Sequence, residues 1–336
     1  MKAPFPFFGG KSRVSHLVWP RFGQLYHYIE PFAGSLAILL NSPYIPSNET
    51  VNDLDSYISN FWRALQHNPE EVAYYADYPI LETDLHARHT WLINQGDFRN
   101  KMLSDPDYYD AKIAGWWVWG ISCWIGRGWC DTSKARVPKQ TPRLTGNMGI
   151  NSGNILGVPN QLPGITYKDR KGIRALELLK RFSRPHLTGR MGVNNIPLYE
   201  YMYTLAERLR NVRVCCGDWS RIVTPAVIFS HGVTGILLDP PYPAEANRDS
   251  RIYSNDDLEV AWRVREWALE NGNDTRLRIA LCGYDGIEGY DMPINWEKVS
   301  WKAQGGYGNQ GSENENRFRE VIWFSHSCIK PQEGLF

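Results

Sequence analysis

The sequence predicts an α/β protein with an open sheet that carries its chemistry at the carboxyl ends of its strands. Three observations lead there. Short apolar or β-branched stretches run directly into turns built from proline, glycine and acidic residues. Helical patterns stand between those stretches. From about Asn68 to Ile196 the strand patterns give way to helical patterns and long polar segments, which marks an inserted, mainly helical region. In open α/β sheets, ligands bind outside the carboxyl ends of the strands.

Bulk properties narrow the class. The chain has 336 residues, enough for one large domain or two medium ones, and is 43% hydrophobic and 22% charged, as in a globular protein. No apolar run reaches the ~18 residues of a membrane helix. The start, Met1-Lys2-Ala3-Pro4-Phe5-Pro6, lacks the apolar stretch of a signal peptide. A cytoplasmic protein is therefore expected. The six cysteines show no C-x-x-C spacing and read as reduced thiols, with no metal site expected.

In chain order, Phe8-Gly9-Gly10-Lys11-Ser12 invites a phosphate-loop reading. That motif needs glycine at position 5, where Phe5 stands, and no apolar strand precedes it. A short helix is predicted from Ser12 to about Pro20. The strand Tyr26–Glu30 enters Pro31-Phe32-Ala33-Gly34-Ser35, followed by a predicted apolar helix from Leu36. A small-residue turn lets the backbone approach a nucleotide-like ligand. One glycine, in place of G-x-G-x-x-G, argues against a dinucleotide and for a cofactor without phosphate.

Thr50–Asn52 then ends in Asp53, about 20 residues on, where an acid commonly holds ribose hydroxyls. Asp53 could equally cap the helix predicted from Ser56 to about Gln66. Further helices are predicted over Pro69–Tyr78, Glu82–Asn94 and Tyr108–Trp124, with a basic one near Gly172–Phe182. Five tryptophans lie within Trp116–Trp129 and read mostly as core. Arg127, between two glycines, sits where it could reach a base edge or a phosphate.

Leu198–Leu209 reads as a helix, and Val212–Cys216 as a strand ending in Gly217-Asp218-Trp219. An acid beside an indole can take an adenine ring; a turn residue beside a core tryptophan is the alternative. Gly235–Leu238 reads as a buried strand stopped by Asp239-Pro240-Pro241-Tyr242, since two prolines cannot continue a ladder. Asp239 and the Pro240 carbonyl can each accept one N–H of an exocyclic amine, and Tyr242 can stack on its ring. That set suits methyl transfer to the amine of a base. Arg251–Asn255 precedes a helix starting at Asp256 or Asp257. Strands follow at Arg278–Leu281 and Arg317–Phe324, with a Gly/Asn-rich loop between Gln304 and Asn316.

Net charge is only +1, but it is unevenly spread. Lys134–Arg190 holds 12 basic residues against two acids, while Glu49–Asp110 holds 12 acids against four basic residues. A segment that basic is the footprint of a polyanion partner, or else a solvated surface.

Taken together and in order, these blocks resemble the Dam-type DNA adenine-N6 methyltransferases, the group α amino-methyltransferases. The resemblance rests on Phe8–Lys11, Ile29–Ser35, Asn52–Asp55, Gly217–Trp219, Leu238–Tyr242, Arg251–Asn255 and Arg319–Ile322. It implies a Rossmann-like, mixed and mostly parallel sheet with helices on both faces. Residues 1–67 and 196–336 would form the catalytic domain and 68–195 the target-recognition region. S-adenosyl-L-methionine would be the methyl donor. Phe8, Gly9, Gly10 and Lys11 would line its methionine end, and Pro31, Phe32, Ala33, Gly34 and Ser35 would pass beneath it. Asp53 would hold the ribose, Asp218 and Trp219 the adenine, with Asp239 also at the cofactor. Asp239, Pro240 and Tyr242 would be catalytic.

Arg127, Lys134, Arg136, Lys139 and Arg143 would contact double-stranded DNA. A monomer or weak dimer is expected, with a cognate restriction enzyme as the partner such enzymes can have. N4-cytosine methylation, or DNA binding without catalysis on the same fold, are the alternative functions. Leu36 departs from the family turn, which often has a second small residue there, and Trp116–Trp129 does not match GATC-specific members.

Overall fold

The computed structural model describes residues 1–5, 11, 13–79, 81–124, 129–130, 198–242, 259–301 and 319–331. Its elements, in chain order, are α1 (Ser15–Phe22), β1 (His27–Glu30), β2 (Asn48–Asp53), α2 (Ser56–His67), α3 (Pro69–Ala76), α4 (Glu82–Ile93), α5 (Phe98–Ser104) and α6 (Ala111–Cys123). After these come α7 (Leu198–Leu209), β3 (Val212–Cys216), α8 (Pro225–Ile228), β4 (Thr234–Leu238), α9 (Val260–Asn271), β5 (Leu277–Tyr284), β6 (Glu297–Ser300) and β7 (Glu320–Phe324). Among the described residues no helix is long and apolar enough to cross a membrane, and all six cysteines are free.

The chain divides into two compact units. The first comprises Met1–Lys2, Phe8–Leu54 and Asn211–Phe336; the second comprises Ala3–Phe7 and Asp55–Arg210. The first unit is built on a seven-stranded sheet in the order β3-β2-β1-β4-β5-β7-β6. The pairs among β3, β2, β1, β4 and β5 are parallel, while β7 runs antiparallel to both β5 and β6. Strands β4 and β7 are buried at every position, which explains the apolar runs Ile236–Leu238 and Val321–Phe324 within them. Ile236, Leu238, Ile279, Leu281 and Val321 share one core cluster with Val260, Val264 and Ala268 of α9.

Two sequence expectations are corrected in this unit. The apolar run from Leu36 does not form a regular helix: only Leu39–Asn41 coils, as a single 3-10 turn. Leu36 takes a left-handed backbone (φ +54°), which prevents an α-helix from starting there. Strand β6 was not foreseen. Its half-exposed, alternating burial at the sheet edge leaves little apolar signal.

The second unit is helical among the described residues. α2 starts on Asp55, whose side chain accepts from Tyr57 N–H at 2.8 Å. That fulfils the capping role considered for Asp53. Phe5 packs edge-on against Phe61 and Trp117 at centroid distances of 5.5 and 4.9 Å. Of the five clustered tryptophans, Trp117 and Trp119 are fully buried, while Trp116, Trp124 and Trp129 are half-buried. Gly115 lets α6 press against α3. A Cβ there would lie 2.7 Å from the Val72 carbonyl and 2.4 Å from Tyr75 Cβ. The sequence reading missed α5, a seven-residue helix too short to show a period.

Candidate active site at the carboxyl rim of the sheet

Strand order reverses between β1 and β4, where the chain leaves in opposite directions to β2 and β5. Such a switch point opens a crevice at the carboxyl ends of the two strands. Here the segments leaving those ends are Pro31–Ser35 and Asp239–Tyr242. Because β7 is antiparallel, its first residue, Glu320, lies opposite Tyr284 at the end of β5 and joins the same rim.

One half of the rim is tied together by Asn52, an amide with 2% exposure next to Val51 in β2. Its Nδ2 donates to the Pro31 carbonyl at 3.1 Å and to the Gly217 carbonyl at 2.9 Å. Its own carbonyl accepts from Ala33 N–H at 2.8 Å. The turns after β1 and β3 are thus fastened to β2. Gly34, with φ +45°, points its N–H at Asp53 Oδ2, 2.9 Å away. Ser35 is buried beside it. Asp218 accepts from the N–H and hydroxyl of Ser220, both on Oδ1, and so caps the short turn at Trp219–Ile222. Phe32 stacks near-parallel to Trp219 at 6.3 Å. Trp219 is 6% exposed, and its buried indole N–H has no partner among the described residues.

The other half centres on Lys11, a lysine 4% exposed. Its ammonium lies 3.0 Å from Asp239 Oδ1, 2.8 Å from the Tyr242 hydroxyl and 3.7 Å from Glu320 Oε2. The Tyr242 hydroxyl accepts from Lys11 and donates to Glu320 Oε2 at 2.9 Å. The Tyr242 ring meets that of Tyr284 at a centroid distance of 4.4 Å. The Cys282 thiol hydrogen-bonds to Asp239.

Burial governs the titration of this cluster. It pushes the Asp239 and Glu320 carboxyls above the ordinary carboxylate range, with Lys11 opposing in both cases. For Lys11, burial works against the ammonium. The attraction of Asp239 and Glu320 outweighs it, so the amine is held charged above its ordinary value. Nearby Glu30, at the end of β1, is pushed up to about 8 by burial, although the Tyr28 hydroxyl bonds to it at 3.0 Å.

Of the residues singled out from sequence, Lys11, Asp239, Pro240 and Tyr242 come together on one side of the rim. Pro31, Phe32, Ala33, Gly34, Ser35, Asp53, Asp218 and Trp219 line the other. Lys11, foreseen at the cofactor's methionine end, pairs with the Asp239 carboxylate. Phe8, Gly9, Gly10, Arg127, Lys134, Arg136, Lys139 and Arg143 lie outside the described residues. Sequence reasoning missed Glu320, Cys282, Tyr284 and Asn52 as site residues. The available signal was a carboxylate or amide inside a buried strand, where a polar group must find a partner.

A mostly parallel sheet with polar groups gathered at its switch point is compatible with a methyltransferase fold. Residues 7–110 match the model of a protein family described as D12 class N6 adenine-specific DNA methyltransferase. The match agrees with the Dam-type resemblance. It spans 104 of the 336 residues, taking in Lys11, Glu30–Ser35 and Asp53 and ending before Asp218, Asp239 and Glu320. A family of that description acts on adenine in DNA. No curated protein matches the sequence.

Proposed function

We propose that the protein is an S-adenosylmethionine-dependent DNA methyltransferase that modifies N6 of adenine. The observation that carries this reading is Asp239-Pro240-Pro241-Tyr242 at the β1/β4 switch point, beside a turn belonging to the matched family segment. The sheet unit is the catalytic part. Segment 68–195, with Arg127, Lys134, Arg136, Lys139 and Arg143, supplies recognition and phosphate contacts from its excess of basic residues.

The rim suits the methyl donor on its own chemistry. Asp53 and Asp218 offer carboxylates to hydroxyls and an amine, Gly34 permits close approach, and the Trp219 N–H has no partner among the described residues. S-adenosylmethionine supplies a methyl already activated on a sulfonium. The chain supplies alignment. A target adenine inside a duplex is out of reach, so it is extruded into the pocket at a cost of a few kcal/mol, and stacking on Tyr242 offsets part of this. The N6 lone pair is delocalised into the ring. Hydrogen bonds from its two N–H groups to Asp239 and the Pro240 carbonyl favour a more pyramidal, nucleophilic nitrogen. Lys11 and Glu320 fix Tyr242 through its hydroxyl, so the acceptors and the stacking face are set before the base arrives.

Asp239→Ala should lower turnover by at least about 100-fold, the usual loss when a preorganised partner is removed. DNA affinity, measured by fluorescence anisotropy, should stay within a few-fold. Normal turnover by the variant would remove Asp239 from the mechanism. Nucleoside analysis of the product separates N6-methyladenine from N4-methylcytosine, whose amine the same acceptors could hold.

A further inference from the structure

The cluster around Lys11 does not balance in charge. Asp239 at 3.0 Å already neutralises the ammonium, yet a second carboxylate, Glu320, is buried 3.7 Å from it. Among the described residues, the neighbours add no compensating charge. Burial keeps the Cys282 thiol and the Tyr284 phenol protonated, and Glu30 holds its proton to about pH 8. Arg319, next in sequence to Glu320, turns to the carbonyls of Asp285 and Gly286. A buried carboxylate without its own cation is costly. Among the described residues the cluster thus holds one carboxyl group more than it has cations, which a further positive charge would balance.

We propose that Glu320 is a positioning residue that tunes the site to the charge of the methyl donor, giving the pocket one surplus negative charge that favours a sulfonium over the neutral thioether left after transfer. This rests on the function proposed above and deepens it. The donor arrives with one positive charge more than the spent cofactor carries away. Glu320 thus strengthens binding of S-adenosylmethionine selectively and eases release of S-adenosylhomocysteine. Its bond from Tyr242 keeps the carboxylate in place without consuming its charge.

The test is the ratio of two dissociation constants, for S-adenosylmethionine and S-adenosylhomocysteine, measured by calorimetry on the full chain. Glu320→Gln keeps an acceptor for the Tyr242 hydroxyl and removes only the charge. It should lower the preference for the sulfonium form about tenfold, the scale of one partly screened charge. S-adenosylhomocysteine affinity should stay within about twofold. Lys11→Gln, which makes the pocket more negative, should move the ratio the opposite way whatever it does to either affinity. A ratio unchanged in both variants, or equal loss of both ligands in Glu320→Gln, overturns the role of Glu320. If the unaltered chain binds neither ligand, the methyltransferase reading itself falls.

Discussion

Both units of the molecule bury cations, and these are met differently. In the sheet unit, Lys11 faces two carboxylates and a phenol hydroxyl at the end of the strands. In the helical unit, Arg88 is sandwiched between the rings of Tyr78 and Trp119 at 4.0 and 4.2 Å, with Trp116 at 5.1 Å. Arg63 there spreads one nitrogen over the carbonyls of Met102, Asp105 and Tyr108. Rings and carbonyls hold a guanidinium without carrying a charge of their own. They build architecture. On the role proposed for Glu320, carboxylates in excess of the cation they surround would build a site that responds to a charged ligand. The contrast separates a buried charge that serves packing from one that serves chemistry.

The largest effect should come from Lys11→Met, which strands two buried carboxylates beside the acceptor pair. Turnover should fall by at least about 100-fold. Steady-state kinetics that retained normal turnover would move Lys11 to the architectural class. A smaller effect is expected from the pH dependence of Glu30. Its carboxyl ionises near the ordinary 4.5 when unfolded but near 8 when folded. The folded chain therefore binds the extra proton, and stability is lost as pH rises through that window. Glu30→Gln removes this dependence. Its stability relative to the unaltered chain should grow by about 4 kcal/mol between pH 4.5 and 8 and then level off. Denaturant unfolding that gave a constant difference across that range would contradict the buried, protonated state. The smallest is Arg88→Met, which keeps the stem and loses the stacked charge. It should cost about 1–2 kcal/mol of stability while kcat stays within about twofold, too small a change for a preorganised catalytic partner. A selective loss of kcat would break the contrast.

The legibility of the sequence follows the same division. The turns after β1, β3 and β4 could be read because proline, glycine and aspartate act on their own backbone. Positions at the ends of strands for Asp53 and Asp239 followed from that local chemistry. Glu320 could not be placed the same way. It reaches Tyr242 across 78 residues, and only the antiparallel pairing of β7 with β5 brings it to the rim. Lys11 reaches Tyr242 across 231 residues, from a sequence segment with no apolar strand pattern before it. Leu36–Leu40 misled for a different reason. Its apolar run matched a buried helix, but the run is buried in a turn that begins with a left-handed leucine. In the helical unit, the tryptophans declared a core without declaring which arginine they enclosed.

The most direct test of where the chemistry lies is ultraviolet cross-linking of methyl-labelled S-adenosylmethionine to the full chain, followed by peptide mapping. The expected result is label on peptides that carry Pro31–Ser35, Asp218–Trp219 or Asp239–Tyr242, displaced by unlabelled S-adenosylhomocysteine. Label confined to peptides from Asp55–Arg210 would contradict the assignment of the methyl-donor site to the carboxyl rim of the sheet.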